Sequence, residues 1–414
     1  MHLPCQVGCG YALDSVELIV RTLVVSDLHL GAGTGADVLR RPGPRATLIE
    51  ALDGVERLVL LGDVLELRHG PRRDALAAAR PFFEELGRAF AGREIVVVAG
   101  NHDHALAEAW LRRRDEDPVH RPLGLEQRFT AEESSEMVAA MASWAEPAKL
   151  SAAFPGLWLR PDVYATHGHY LDCHLTIPTM ERLGIGMTAR AMRRSSEKFA
   201  SVADYEAVTS PVFAWIDAVA RQAPTGSTLN GQTTVRAWQA LAGERNTGKG
   251  GNTLKGTPSG AHPKGHRQAS GRGWGDLRVR ALAGAFPVAI AALNKAGLGS
   301  FNADISTDEL RRAGLRAMGE VAARLGLGDA HVIFGHTHRA GPRPQDVAAE
   351  WCGPAGARLV NAGCWTYDSY FVTVNPGESP YWPGGAVLVD EEGPPHSLRL
   401  LDGQPADELK PLPA

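Results

Sequence analysis

Leu23-Val24-Val25-Ser26-Asp27-Leu28-His29 decides how the chain is read, because an apolar run with the composition of a buried strand ends in a carboxylate and an imidazole two residues apart. In an extended backbone, positions i and i+2 project to one side, so Asp27 and His29 are expected to grip one ion at the mouth of a strand. A single Asp-x-His also describes a turn carboxylate beside a surface histidine. Repetition separates the two readings. Leu58-Val59-Leu60-Leu61 runs into Gly62-Asp63, and Ile95-Val96-Val97-Val98-Ala99 into Gly100-Asn101-His102-Asp103. Val163-Tyr164-Ala165-Thr166 runs into His167-Gly168-His169, and Val332-Ile333-Phe334 into Gly335-His336-Thr337-His338. Each apolar run delivers metal-competent side chains at its carboxyl end, where open α/β sheets bind their ligands.

Working outward, strands predicted at 21–26, 57–61 and 94–99 alternate with helices at 46–52 and 74–91, Pro81 marking a break in the second. That alternation predicts parallel pairing with helices packed on the sheet. Helices at 105–114 and 134–150 return the chain to a strand at 157–166. The strand rhythm then stops. Helical patterns at 187–223, 233–242 and 276–295 predict a mostly helical insertion over 176–299. Within it, 243–275 is rich in Gly, Ser, Thr, Asn and Lys and is expected to be a mobile loop. A helix at 307–326 leads to a strand at 331–335, followed by strands at 358–362, 370–374, 386–389 and 398–401. The expected fold class is α/β, with a discontinuous core of 20–175 and 300–403 interrupted by the insertion. Two sheets are expected, since that many strands in one would expose long edges.

The 414 residues, 44% hydrophobic and 22% charged, are ample for a large buried core. A net charge of -4 gives no global attraction to nucleic acid or anionic membrane. The local exception is Arg236 to Arg280, where nine Lys and Arg residues stand against Glu244 and Asp276. No apolar run of about 18 residues occurs, and the N-terminus lacks a basic segment followed by an apolar one, so a cytoplasmic location is expected. The five cysteines are scattered and odd in number, which argues against a disulfide framework. Cys5 and Cys9 have no second pair at zinc-ligand spacing.

Asp27, His29, Asp63, Asn101, His167, His336 and His338 offer oxygen and nitrogen donors with no thiolate. That set suits two divalent transition-metal ions, manganese first, with iron, zinc or cobalt as alternatives. Seven donors exceed one tetrahedral site, whereas two ions sharing a carboxylate use them all. Asp63, alone at its strand end, is the natural bridge.

The five motifs, in this order, resemble the calcineurin-like metallophosphoesterases: Asp27-Leu28-His29, Gly62-Asp63, Gly100-Asn101-His102-Asp103, His167-Gly168 and Gly335-His336-Thr337-His338. The resemblance covers roughly residues 20 to 175 and 300 to 400, and reaches toward bacterial phosphodiesterases and UDP-diacylglucosamine pyrophosphatases, some of which carry Asp where His169 stands. It implies two mixed sheets packed as a sandwich and flanked by helices, in four αββα layers. It also implies that Asp27, His29 and His338 hold one metal, Asn101, His167 and His336 the other, and that Asp63 is shared. A metal-bridging hydroxide would then attack phosphorus, with His102 protonating the leaving oxygen and Asp103 orienting His102. Asn361-Ala362-Gly363-Cys364-Trp365 is similar to a stretch that packs near the site in relatives.

Protein phosphatases of this family carry G-D-x-V-D-R-G, whereas here Gly62-Asp63-Val64-Leu65-Glu66-Leu67 follows, which favours phosphodiester or pyrophosphate hydrolysis. The alternatives are a small-molecule phosphomonoesterase and an inactive binding scaffold. The expected partner is a small-molecule or lipid-linked phosphoester, with nucleic acid and peripheral membrane contact through the insertion left open, as is the oligomeric state. In the insertion, Met187, Met192, Phe199, Val202, Phe213 and Trp215 are read either as acyl-chain contacts or as its own core. His169 and Asp172 are read either as partners of metal ligands or as loop residues.

Overall fold

The computed structural model describes residues 20–117, 122–222, 290–296, 301, 307–369, 371–372 and 378–411. Three parallel strands open the fold: β1 (Thr22–Val25), β2 (Arg57–Leu61) and β3 (Glu94–Val98). Their register sets Leu23 beside Leu58 and Leu58 beside Ile95, so their carboxyl ends finish flush. Helices α1 (Pro42–Glu50) and α2 (Arg72–Ala89) make the crossovers. Pro81 lies inside α2 on its exposed face, and the helix runs through it.

After α3 (Ala105–Glu116) and a short β4 (Glu126–Thr130), helix α4 (Glu136–Trp144) ends well before the predicted boundary. Residues from Lys149 onward pair with β3 instead. The predicted strand 157–166 is a hairpin of β5 (Lys149–Arg160) and β6 (Val163–Thr166). Arg160-Pro161-Asp162 makes its turn, with Arg160 bonded twice to Asp162 at 2.6 and 2.9 Å.

Helices α5 (Met180–Ala191) and α6 (Val202–Gln222) begin the predicted insertion and pack on each other. The helical pattern at 233–242, most of 276–295 and the loop 243–275 lie outside the described residues; 290–295 is helical. Helix α7 (Thr307–Arg324) precedes β7 (His331–Phe334) and β8 (Arg358–Asn361), which pair in parallel beyond β6. The predicted strand at 370–374 does not form at Phe371 and Val372, whose N–H groups both donate to Asp368 in a turn. Antiparallel β9 (Gly385–Val389) and β10 (His396–Arg399) close the other edge, beside β1.

The strands form one hydrogen-bonded mixed sheet of ten, ordered β10-β9-β1-β2-β3-β5-β6-β7-β8 with β4 on β5, flanked by helices. Two separate sheets were expected; the long β5 joins both halves, giving its first residues to β3 and its last to β6. Val24, Val59 and Val96 from one half share a buried cluster with Leu157, Val163 and Ile333 from the other. On the outer faces, Leu58, Leu60 and Ile95 bury Phe82, Phe83 and Leu86 of α2, and Val332 and Phe334 bury Met318 and Val321 of α7. Each such side chain contributes about 1.5–3 kcal/mol of burial. This packing fixes the five strand ends from which the polar motifs emerge.

Candidate metal centre

The residues after β1, β2 and β7 do not continue as strand. Asp27, His29, Asp63, His336 and His338 all have positive φ, between 46° and 66°. They make up five of the seven non-glycine residues in that region among those described. Left-handed backbone costs an L-residue on the order of 1 kcal/mol or more and persists only where the surroundings impose it. Asp27 and His29 therefore meet because the chain coils left-handed at each, and strand alternation is not the cause.

Backbone hydrogen bonds impose the coil. The N–H of Asp27 donates to Gly62 C=O at 3.1 Å, that of His29 to Asp63 C=O at 2.8 Å, and that of Trp365 to Asp27 C=O at 3.0 Å. Close approach explains the neighbouring glycines. A Cβ on Gly62 would lie 2.3 Å from His167 Nδ1, and one on Gly335 2.3 Å from Asp27 Oδ2. Asn361 belongs to this scaffold, donating from Nδ2 to Gly335 C=O at 3.0 Å.

Asp27 and Asp63 each have one oxygen held by the backbone and one left to the centre. Asp27 Oδ2 accepts from His336 N–H at 2.9 Å, while Oδ1 is buried with no hydrogen-bond donor, 3.3 Å from His338 Nε2. Asp63 Oδ1 accepts from His102 N–H at 2.8 Å, while Oδ2 lies 3.6 Å from His29 Nε2 and 3.4 Å from His167 Nε2. Asp63 thus faces both histidine groups at once.

Outer partners set the imidazole tautomers. His29 Nδ1 donates to Glu66 at 3.0 Å, His167 Nδ1 to Leu61 C=O at 3.0 Å, and His336 Nε2 to Asp172 at 3.1 Å. An acceptor on one ring nitrogen leaves the other as the ligand nitrogen. His29 Nε2 then faces His338 Nε2 at 3.2 Å, and Asn101 Oδ1 faces His167 Nε2 at 3.1 Å and His336 Nδ1 at 3.0 Å. Rotating the Asn101 amide would turn the last two contacts into N–H donations; a cation would satisfy them without rotation. The orphaned Asp27 oxygen, which no amide rotation relieves, fits a cation. Asp27–His29–His338 and Asp63–His167–His336 each converge closely enough to hold one ion, as does His29–Asp63–His102.

Without a cation the same lone pairs take protons. Burial disfavours charge on His29, but the carboxylates of Asp27 and Glu66 beside it lift its pKa to about 10. Burial likewise opposes charge on His167, yet Asp63 lifts it to about 9. Burial would raise Asp63, and His167 and His102 hold it well below the carboxylate range instead. His102 goes the other way: burial first, then the Arg68 guanidinium, lower it to about 4 against the pull of Glu66.

All seven expected ligands and His102 meet in this cluster. Asp103 does not orient His102. Its carboxylate accepts from the N–H groups of Gly100, Val64 and Leu65 at 2.7, 2.7 and 3.1 Å, tying the ends of β2 and β3 together. The partner of His102 is Glu66, which accepts from its Nδ1 at 2.8 Å. Sequence reasoning does not single out Glu66 for this role. The available signal is a lone charge inside the apolar run Val64-Leu65-Glu66-Leu67, three residues past Asp63. Asp172 partners His336, whereas His169 is buried with neither ring nitrogen bonded.

The cluster opens into a cleft of about 260 Å³, lined also by Thr179 and Glu181 of the insertion and by α7. The insertion is tied down through Arg68 to Glu181 at 2.8 Å and His104 to Glu206 at 3.0 Å. Of the apolar residues singled out there, Phe199, Val202 and Phe213 are buried, and Met187, Met192 and Trp215 are exposed. Among the described residues no helix is long and apolar enough to cross a membrane.

Residues 20–201 match the family model for calcineurin-like phosphoesterases. Members of that family are generally phosphoester hydrolases and typically hold two metal ions. The match takes in Asp27 through His167 and ends before β7. His336 and His338 lie outside it and reach the centre through the pairing of β7 with β6. No curated protein matches the chain.

Proposed function

We propose that this chain is a dinuclear metal-dependent phosphoesterase that cleaves a phosphodiester or pyrophosphate. The observation that carries the reading is the set of inward lone pairs. Asp27 Oδ1, Asp63 Oδ2 and the free nitrogens of His29, His167 and His336 all face other acceptors, while their remaining atoms are bonded outward. Asp27, His29 and His338 would hold one ion, Asn101, His167 and His336 the second, and Asp63 both. Two divalent cations, with manganese the first to test, supply Lewis-acid stabilisation of a phosphoryl group and activation of water.

The protein's own part is positioning and proton delivery. Glu66 fixes His102 through Nδ1 and so leaves Nε2 to protonate the leaving oxygen. Because burial and Arg68 hold His102 near 4, the charged imidazole needs the nearby negative charge of a bound phosphate to form. Glu66-Leu67 in place of the Asp-Arg pair of protein phosphatases supports small-molecule rather than phosphoprotein substrates. The insertion acts as a cap, since Thr179 and Glu181 line the cleft.

The test is a panel of phosphomonoesters, diesters, cyclic nucleotides and nucleoside-diphosphate sugars with added Mn²⁺, alongside metal content by mass spectrometry. Two bound equivalents with hydrolysis of a diester or pyrophosphate are expected. Fewer than two equivalents with no hydrolysis would favour the scaffold alternative, and turnover confined to monoesters would reassign the substrate class.

A further inference from the structure

The cleft that opens onto Asp63, His102 and His336 is also lined by Arg311, Arg339 and Tyr381, none of which the proposed hydrolysis uses. Arg311 comes from α7, and Arg339 follows His338 directly. Both guanidiniums are braced from behind. Arg339 bonds Asp346 twice, at 2.6 and 3.0 Å, and lies 5.6 Å from the Trp351 ring centre; Arg311 bonds Glu350. A guanidinium has five N–H donors in a fixed fork, so bracing fixes its orientation and leaves donors over.

A third guanidinium stands just outside the lining. Glu350 also lies 4.0 Å from Arg312, so three guanidiniums share two carboxylates. Tyr381 is half-buried in the same lining, within electrostatic reach of Arg339 and Arg311. Leu310, Leu315 and Trp351 give the same cleft an apolar wall. At about 260 Å³, the space approaches the ~300–1,000 Å³ usual for small-molecule sites. Two braced guanidiniums with N–H donors left over, set against an apolar wall, suit a planar anion such as a carboxylate or phosphate.

We propose that Arg311, Arg339 and Tyr381 form an anion subsite, so that the preferred substrate is a phosphoester bearing a second anionic group, separated from the scissile phosphate by an apolar stretch. This rests on the phosphoesterase reading of the metal centre. The subsite only binds; it adds no chemical step.

Calorimetric titration of the Mn²⁺-loaded protein with two phosphonate series tests it: alkylphosphonates, and ω-carboxyalkylphosphonates of matching chain length. At one chain length the carboxylate should tighten binding about tenfold or more, and Arg311→Gln should bring the ratio of the two Kd values back to about one. No gain at any length in the unaltered protein, or a gain that survives Arg311→Gln, would overturn the subsite. The length series needs no variant, so the test stands even if Arg311→Gln folds poorly. Failure of both series to bind would overturn the phosphoesterase reading, and the subsite with it.

Discussion

The two halves of the sheet contribute different chemistry to one centre. The half built on β1, β2 and β3 brings the carboxylates Asp27 and Asp63, the Asn101 amide, His29 and His102, with Glu66 behind them. The half built on β6 and β7 brings only imidazoles, His167, His336 and His338, backed by a carbonyl and by Asp172. On the proposed reading, the first half would carry the negative charge that draws cations, and the second would supply neutral donors to complete the coordination. Neither half closes a site alone: Asp27 needs His338, and Asn101 needs His167 and His336.

This division sets an order of expected effects. Asp63→Asn should remove detectable hydrolysis and lower the occupancy of both metals, because a neutral amide is a poor bridge between two dications. Metal content and turnover measured on the same sample check it, and loss of one ion with the other at full occupancy would confine Asp63 to a single site. Next comes His102→Ala, expected to keep both metals while kcat falls about 10²–10⁴-fold on substrates with poor leaving groups. The loss should shrink for a nitrophenolate, which departs without a proton. Equal losses on both substrate types, or a missing metal equivalent, would remove the acid role.

The outer partners sharpen the contrast. Glu66→Gln and Asp172→Asn should each weaken metal affinity about 10–100-fold. Only Glu66→Gln should also depress kcat at saturating metal, since of these two carboxylates only Glu66 bonds the His102 ring as well as a proposed ligand. If both variants behave alike, the asymmetry between the halves is wrong.

The smallest effect is a pH dependence. His29 and His167 have raised pKa values, about 10 and about 9. Their charged forms stabilise the metal-free fold fully below the unfolded value near 6.5, and that contribution is lost as pH rises through 9 to 10. The same protons compete with metal, so affinity should rise about tenfold per pH unit for each proton displaced. The difference in Tm between Mn²⁺-loaded and chelated protein should therefore widen from pH 6 to pH 9. A constant or narrowing gap would contradict the proton inventory.

The site was legible in the sequence chiefly as strand ends. Apolar runs such as Leu58 to Leu61 are unambiguous, and the polar residue after each one is fixed by where the run stops. The local geometry was not legible. Asp27 and His29 converge through left-handed backbone imposed by Gly62 and Asp63, a tertiary effect invisible in a seven-residue window. Asp103 sits next to His102 in sequence, yet the shortage of acceptors for the N–H groups of Gly100, Val64 and Leu65 claims its carboxylate. Lys149 and Leu150 read as the tail of a helix and instead open a strand that pairs through Ala153, because the edge of β3 needs a partner there. Two sheets were expected from strand number; the length of β5 could not be anticipated across Pro155 and Pro161.

The most direct test is anomalous X-ray scattering from crystals soaked in Mn²⁺. The account predicts two peaks about 3.5–4 Å apart, one among Asp27, His29 and His338, the other among Asn101, His167 and His336, with the Asp63 carboxylate between them. A single peak, or two peaks of which neither touches Asp63, would contradict a dinuclear centre shared by the two halves of the sheet.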